Sequence, residues 1–462
     1  MSRIDGLNRR VFLRNAGMTA LLGAIGAPPL RAEAGTAASA GAAFAPPGGT
    51  YDFDTVYNRV GSNCVKWDRA IGNYGKENIA VGMGIADMDF RAAPCITKAL
   101  AERCAHENWG YVDSTRPFVD AIVAWEKKRF GLTVNPDAVV ITTGVHPGII
   151  AALEAFSPPG SRVLLTTPTY NGFYGDLRAA RVKPEDSPMR IGADGRYSID
   201  FDDFERRISH DTNTFILCNP QNPTGNCWSA EDLTRIGEIC LRRRVVVLAD
   251  EIHRDFVQKG QTFTPFSSLP NKDIVRNSIT FTAVSKSFSL AAMKAAWFYS
   301  ENMDLIERVK ANNRADLSTL GMVANMAALT EGEDWLTQVR QYIDANHDFV
   351  ASYVKAEMPM VSCVKPQGTY LMWLDVSEVA NRIGATRQAE DASRTAPAPV
   401  TPEQIVERWF VKNAKVQLNA GSSYGTGGAG HMRMNLGTSR KLIELALTNM
   451  AAALKNPQMS MA

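Results

Sequence analysis

The 462-residue chain is poor in the residues that build metal centres and covalent staples. Its seven cysteines (Cys64, Cys95, Cys104, Cys218, Cys227, Cys240 and Cys363) are scattered, odd in number and without C-x-x-C spacing. They read mostly as small buried apolar side chains, with one disulfide formed after export as the alternative. The six histidines form no H-x-x-x-H or H-x-x-E-H pattern, which argues against a metal site. Charge of one sign is also missing: 50 basic residues face 48 acidic ones, for a net of +2. A nucleic-acid binder normally carries a basic surplus, so that class is excluded. What is present is ordinary for a globular protein, 45% hydrophobic, 21% charged and 8% aromatic. That composition excludes a disordered tail, a fibre and a disulfide-dense miniature fold. At roughly 100–200 residues per domain, two or three packed units are expected, large enough to bury a core unaided.

The first 34 residues read as a targeting segment rather than as part of the fold. Asn8-Arg9-Arg10-Val11-Phe12-Leu13-Arg14 is a twin-arginine pair followed by bulky apolar residues; an apolar stretch from Ala16 to about Leu30 and Ala32-Glu33-Ala34 follow in the order of a signal with its cleavage site. That stretch is too short, and too rich in Gly, Ala and Pro, to anchor the protein in a membrane. The segment holds five basic and two acidic residues, so its removal leaves 45 basic and 46 acidic ones, a net of −1. The expected location is the periplasm. The twin-arginine route moves folded proteins, so a cofactor acquired in the cytoplasm travels along, which favours a cofactor enzyme.

Residues 35–50 are Gly, Ala, Ser and Pro and read as a linker. Irregular, aromatic sequence follows to about Phe90. Short β-branched runs then appear at Ala138–Thr142, Arg162–Thr166, Thr214–Cys218, Val245–Ala249 and Ile279–Thr282, separated by helix-like stretches such as Gly148–Phe156 and Ala230–Arg243. Apolar runs without alternation suit strands buried on both faces, and their alternation with helices predicts an α/β fold with a mostly parallel sheet. Residues 304–354 look helical, and a smaller α+β segment follows, with Thr369–Leu374 as a strand. Residues 384–401, polar, Ala-rich and proline-bearing, read as a surface insertion.

In open α/β sheets, ligands sit beyond the carboxyl ends of the strands. Five expected strand ends carry polar or glycine clusters: Thr143-Gly144-Val145-His146, Thr166-Thr167-Pro168-Thr169-Tyr170, Asn219-Pro220-Gln221-Asn222-Pro223-Thr224-Gly225, Asp250-Glu251-Ile252-His253 and Thr282-Ala283-Val284-Ser285-Lys286. Each alone is weak; an N-P-T-G turn is usually only a turn, and an Asp after a strand is often a helix cap. The ordered set carries the weight.

That set, with 28 residues from Asn222 to Asp250 and 36 from Asp250 to Lys286, resembles the fold-type I pyridoxal-phosphate enzymes of the class I/II aminotransferase superfamily. Lys66-Trp67-Asp68, Ala86-Asp87-Met88-Asp89-Phe90, His106 with Gly110-Tyr111, Asp250 to His253 and Thr369-Tyr370-Leu371-Met372-Trp373-Leu374-Asp375 point within it to the MalY/PatB group of cystathionine β-lyase-like proteins. The resemblance implies a three-layer sandwich with a mostly parallel sheet over residues 91–335, a smaller α+β domain over 336–462, and an arm over 51–90 that joins part of the small domain.

It also implies pyridoxal 5'-phosphate as cofactor, and roles for named residues. Lys286 matches the Schiff-base lysine, which later removes the Cα proton of the substrate. Asp250 matches the carboxylate that keeps the cofactor's ring nitrogen protonated, so that the ring withdraws electrons. Asn222 matches the donor to the ring's 3-oxygen, and His253 stands where a tyrosine often reaches the same atom. Tyr170 matches the aromatic that stacks on the ring. Backbone N–H groups of Val145 and His146 suit the phosphate, with Lys294 in the place of a frequent arginine and Ser285 adding a hydroxyl. Tyr111 matches a tyrosine that reaches the phosphate in the neighbouring subunit, which implies a homodimer with shared active sites. Arg433 matches the arginine that clamps the α-carboxylate of an amino-acid substrate, and Asp87 falls in the run expected at the substrate mouth.

Two departures bear on the reaction. Met83-Gly84-Ile85 stands where the MalY/PatB pattern usually has a tryptophan, and Thr143–Ile149 carries His146 and Gly148 where lyases are more apolar. With the export signal, these favour an aminotransferase acting on an amino acid or amino-acid-bearing metabolite outside the cytoplasm. A carbon–sulfur β-lyase is the alternative, and a regulatory or binding protein on the same scaffold the second one.

Overall fold

Short apolar runs bounded by polar turns bury both faces best as inner strands of a helix-covered sheet. The computed structural model, which describes residues 49–113 and 115–455, shows this arrangement. The expected signal segment and nearly all of the linker at 35–50 lie outside the described residues. Seven strands form the main sheet: β1 (Val140–Thr142), β2 (Arg162–Thr167), β3 (Lys183–Pro188), β4 (Thr212–Cys218), β5 (Val246–Asp250), β6 (Ser278–Thr282) and β7 (Ala296–Tyr299). Their spatial order is β1-β7-β6-β5-β4-β2-β3. β7 runs antiparallel to both neighbours, and the ladders from β6 across to β3 are parallel. Two of these strands carry no clear strand pattern in the sequence: β3, a charged edge strand with two prolines, and β7, which follows β6 closely.

The helices that position the site are α1 (Arg116–Phe130), α2 (Val145–Phe156), α3 (Gly172–Ala179) and α4 (Ala230–Arg243). Alternate strand residues serve opposite faces, as the pleat requires. Ile216 and Leu248 pack in one core with Ile149 and Leu153 of α2, whereas Phe215, Leu217, Val247 and Ala249 pack in another with Leu233 and Ile236 of α4. α4 opens with a capping box in which Ser229 and Asp232 satisfy each other's backbone N–H groups, the start its sequence predicts.

A second sheet is antiparallel throughout, in the order β8 (Ser362–Cys363), β9 (Leu371–Asp375), β11 (His431–Asn435), β10 (Asn419–Ala420). It has its own core, which Val81 and Met83 join from the N-terminal side. Residues 384–401 differ from their reading as an insertion. They contain helix α5 (Ala385–Ser393), whose Ala385 and Ala389, one turn apart, are buried in the same core as Val406 and Phe410 of α6 (Pro402–Ala414). All seven cysteines are free thiols; Cys64, Cys218, Cys227 and Cys240 are buried, and Cys104 is exposed. Among the described residues, no helix is long and apolar enough to cross a membrane.

Candidate active site

The parallel ladder fixes which strand ends meet. Cys218 of β4 pairs with Asp250 of β5, and Asp250 with Phe281 of β6, so the segments carrying Asn222, Asp250 and Lys286 leave the sheet side by side. Beyond these ends lies a cavity of about 440 Å³, a size suited to a small cofactor. Of the twelve residues expected at the site, nine line it: Val145, His146, Tyr170, Asn222, Asp250, His253, Ser285, Lys286 and Lys294.

Lys286 donates from Nζ to the Ala86 carbonyl oxygen at 2.7 Å. Burial pushes its pKa down to about 8, against the opposing pull of the Asp87 carboxylate. An amine that loses its proton this readily can act as nucleophile or base near neutral pH. Burial pushes Asp250 the other way, up to about 6, although it accepts Ile252 N–H at 3.1 Å and feels His146 and Lys286. A buried carboxylate of this kind favours a cationic partner in the cavity. Burial also holds His253 well below the ordinary histidine range, so it stays neutral; its Nδ1 has no partner among the described residues.

α2 begins at the cavity with Gly144 as N-cap and no side-chain cap, so the first-turn N–H groups of Val145 and His146 face it without a protein acceptor. Such a helix end, with the Lys294 ammonium and the Ser285 hydroxyl on the same wall, is suited to a phosphate dianion. Lys294 adopts a φ of +50°, a strained conformation of the kind found at functional sites.

Arg433, 2% exposed on β11, does not line the cavity. It donates from Nη1 to Asn222 Oδ1 at 3.0 Å and from Nη2 to the Gly84 carbonyl at 2.7 Å, while its buried Nε has no partner among the described residues. Because a guanidinium only donates, the atom facing it must be the Asn222 oxygen, which leaves the Asn222 NH₂ for the cavity. Asp87 also stands outside the cavity: its carboxylate accepts from Arg59 at 2.6 Å and from the Ser289 hydroxyl at 2.8 Å. Tyr111 is fully exposed on the loop before α1 and meets none of these groups within one chain.

Several partners have no local sequence signal. The Ala86 carbonyl that receives Lys286 also accepts the buried Tyr370 hydroxyl at 3.0 Å. The segment around it is held by Asn435, whose Nδ2 donates to the Ile85 and Asp87 carbonyls at 2.5 and 2.7 Å, and by the backbone bond from Asn435 N–H to the Met83 carbonyl. Lys66 and Trp67 both donate to the Asp89 carboxylate, at 2.5 and 2.9 Å, so the segments around Lys66 and Asp89 form one buried bracket.

The description "Aminotransferase class I and II" belongs to the family model that matches residues 78–449. Cystathionine beta-lyase PatB of Bacillus subtilis (strain 168) is 35% identical over 410 residues, 87% of this chain and 100% of that protein. Cystalysin from Treponema denticola, whose crystal structure contains pyridoxal 5'-phosphate, superposes with a TM-score of 0.79 at 26% identity, covering 88% of this chain and 100% of that one. The pyridoxal-phosphate-bound C–S lyase of Staphylococcus hominis gives 0.76 at 27% identity, covering 88% and 98%. The cavity here fits the same cofactor, with an enclosed amine of lowered pKa, a buried carboxylate for the ring nitrogen and an uncapped helix end for the phosphate.

Proposed function

We propose, for a chain that belongs to the aminotransferase class I and II family, a pyridoxal-phosphate-dependent carbon–sulfur β-lyase acting on cystathionine or a related cysteine S-conjugate. The observation that carries this reading is the 35% identity to PatB along that protein's whole length. It outweighs the leaning toward transamination drawn from Met83-Gly84-Ile85, from His146 and Gly148, and from the export signal.

When bound, the cofactor supplies an electron sink conjugated to the substrate's Cα. Asp250 would preserve a positive charge on the cofactor's ring nitrogen, the Val145 and His146 N–H groups with Lys294 would hold its phosphate, and the Asn222 NH₂ would serve its ring oxygen. The Arg433 guanidinium would fix the substrate's α-carboxylate through its unpartnered Nε and an Nη2 released from the Gly84 carbonyl, while Nη1 stays on Asn222, and so would select which bond at Cα is aligned. Lys286 takes the Cα proton. The Cβ–S bond then breaks, its electron pair leaves with sulfur, the sulfur takes the proton held by Lys286, and hydrolysis by water gives pyruvate and ammonia.

Purified protein loaded with cofactor is expected to convert L-cystathionine into pyruvate, ammonia and a free thiol in equal amounts, assayed separately. A keto acid that still carries the sulfur, formed only with an amino acceptor and without free ammonia, would establish transamination instead.

Export is part of the same proposal. Changing Arg9 and Arg10 together to lysine is expected to leave the protein in the cytoplasmic fraction, uncleaved. Periplasmic recovery of that double variant at the unaltered level would remove the twin-arginine reading.

A further inference from the structure

Polar side chains in a cavity wall need partners, and two of them here, with a carboxylate behind them, satisfy one another in a row. His146, the second residue of α2, places Nδ1 2.6 Å from Asp176 Oδ2 on α3 and Nε2 3.3 Å from the Tyr170 hydroxyl. The Asp176 side chain is 7% exposed; the imidazole is 43% exposed, and it lines the Lys286 cavity together with Tyr170. The two rings lie 5.4 Å apart and close over Gly172, where a Cβ would stand 2.5 Å from Tyr170 Cε1 and 2.6 Å from His146 Cε1. Backbone capture of a phosphate by His146 requires none of this side-chain arrangement.

We propose that Asp176 and His146 are positioning residues that decide whether Tyr170 offers a proton or a lone pair to the cavity. With a neutral imidazole, Nδ1–H donates to Asp176 and Nε2 accepts the phenolic proton, so the Tyr170 oxygen presents lone pairs. When the imidazole gains a proton, Nε2–H donates to the Tyr170 oxygen. The phenolic proton must then turn away, toward the cavity, where it can serve substrate.

The groups that face the imidazole are Asp176 from α3, the Tyr170 hydroxyl, Asp250 at the end of β5 and Lys286 beyond β6. Burial opposes the imidazolium and so does Lys286, but the hydrogen bond and charge of Asp176, with Asp250, outweigh them and raise its pKa. Burial holds the Tyr170 phenol up at about 12, so it stays protonated in both arrangements and only its direction changes. The inference holds whichever substrate bond breaks.

The test follows the imidazole directly, by NMR titration of the holoenzyme carrying ¹⁵N-histidine. One imidazole should titrate above the ordinary value of about 6.5. Asp176→Asn should move it down by about one pH unit or more, and the corresponding limb of kcat/KM should move with it. Tyr170→Phe should leave that imidazole titrating while the limb disappears. His146→Gln, which keeps an amide between the partners, should also lose the limb, and it serves where Asp176→Asn does not fold. An imidazole unmoved by Asp176→Asn, or a limb that survives Tyr170→Phe or His146→Gln, overturns the proposal. The NMR arm needs no substrate: an enzyme silent on cystathionine whose imidazole still shifts sinks the lyase reading and supports this one.

Discussion

Replacing Lys286 with alanine is expected to lower turnover by at least about 10²–10⁴-fold, the range for losing a positioned base. Borohydride reduction with peptide mass analysis should trap a covalent cofactor adduct on the unaltered protein and none on the variant. A pKa near 8 in place of the usual lysine value raises the neutral fraction of the amine at neutral pH by about two orders of magnitude. No other amine shares this position among the described residues; Lys294, which also lines the cavity, follows the short turn at Ala291–Met293. Lys286→Arg should fail as completely, because a guanidinium keeps its proton and cannot form the imine. Both variants should retain the fold, since Nζ makes one hydrogen bond, to a carbonyl that Tyr370 also satisfies. Turnover within tenfold of the unaltered enzyme in either variant would remove Lys286 from the chemistry.

The second large effect is on stability. Glu126 of α1 is wholly buried and accepts from Arg254, from Trp297 Nε1 at 3.1 Å and from the Tyr299 hydroxyl at 3.3 Å. Arg254 in turn lies 3.5 Å from Glu251 and 4.2 Å over the Phe130 ring. Burial pushes Glu251 up to about 7, so it is a weak counter-charge at neutral pH. Glu126→Ala therefore leaves a guanidinium enclosed without a full partner, together with two orphaned donors. The expected cost is about 3–5 kcal/mol, read as a lower urea midpoint. Pairing Glu126→Leu with Arg254→Met should recover part of it, because the enclosed charge is gone while the Trp297 and Tyr299 donors stay unpaired. A loss below about 1 kcal/mol in Glu126→Ala would mean that water reaches the cluster.

The central strands were legible because burial on both faces demands unbroken apolar runs; β4, β5 and β6 differ from their sequence-based limits by one or two residues. β3 was not, because it pairs on one side only, so Pro184, Pro188 and three charged residues cost its ladder little. α5 hid for a different reason: its buried stripe is built from small alanines, and Ala385 and Ala389 look like low-complexity sequence until α6 is set against them. At the site, strand ends announced Asn222, Asp250 and Lys286. Thirty residues separate His146 from Asp176, so nothing local links them. The Ala86 carbonyl is backbone, invisible to any reading of side-chain types. The bond broken in the substrate was hardest to read, because the proton-moving residues serve either branch.

Ala86, which meets Lys286, lies 200 residues upstream of it, and its segment is fastened by Asn435, near the end of the described chain. The acceptor of the lysine is therefore steadied by a strand made well after the lysine itself. Order around the amine at position 286 thus draws on segments from both ends of the described residues.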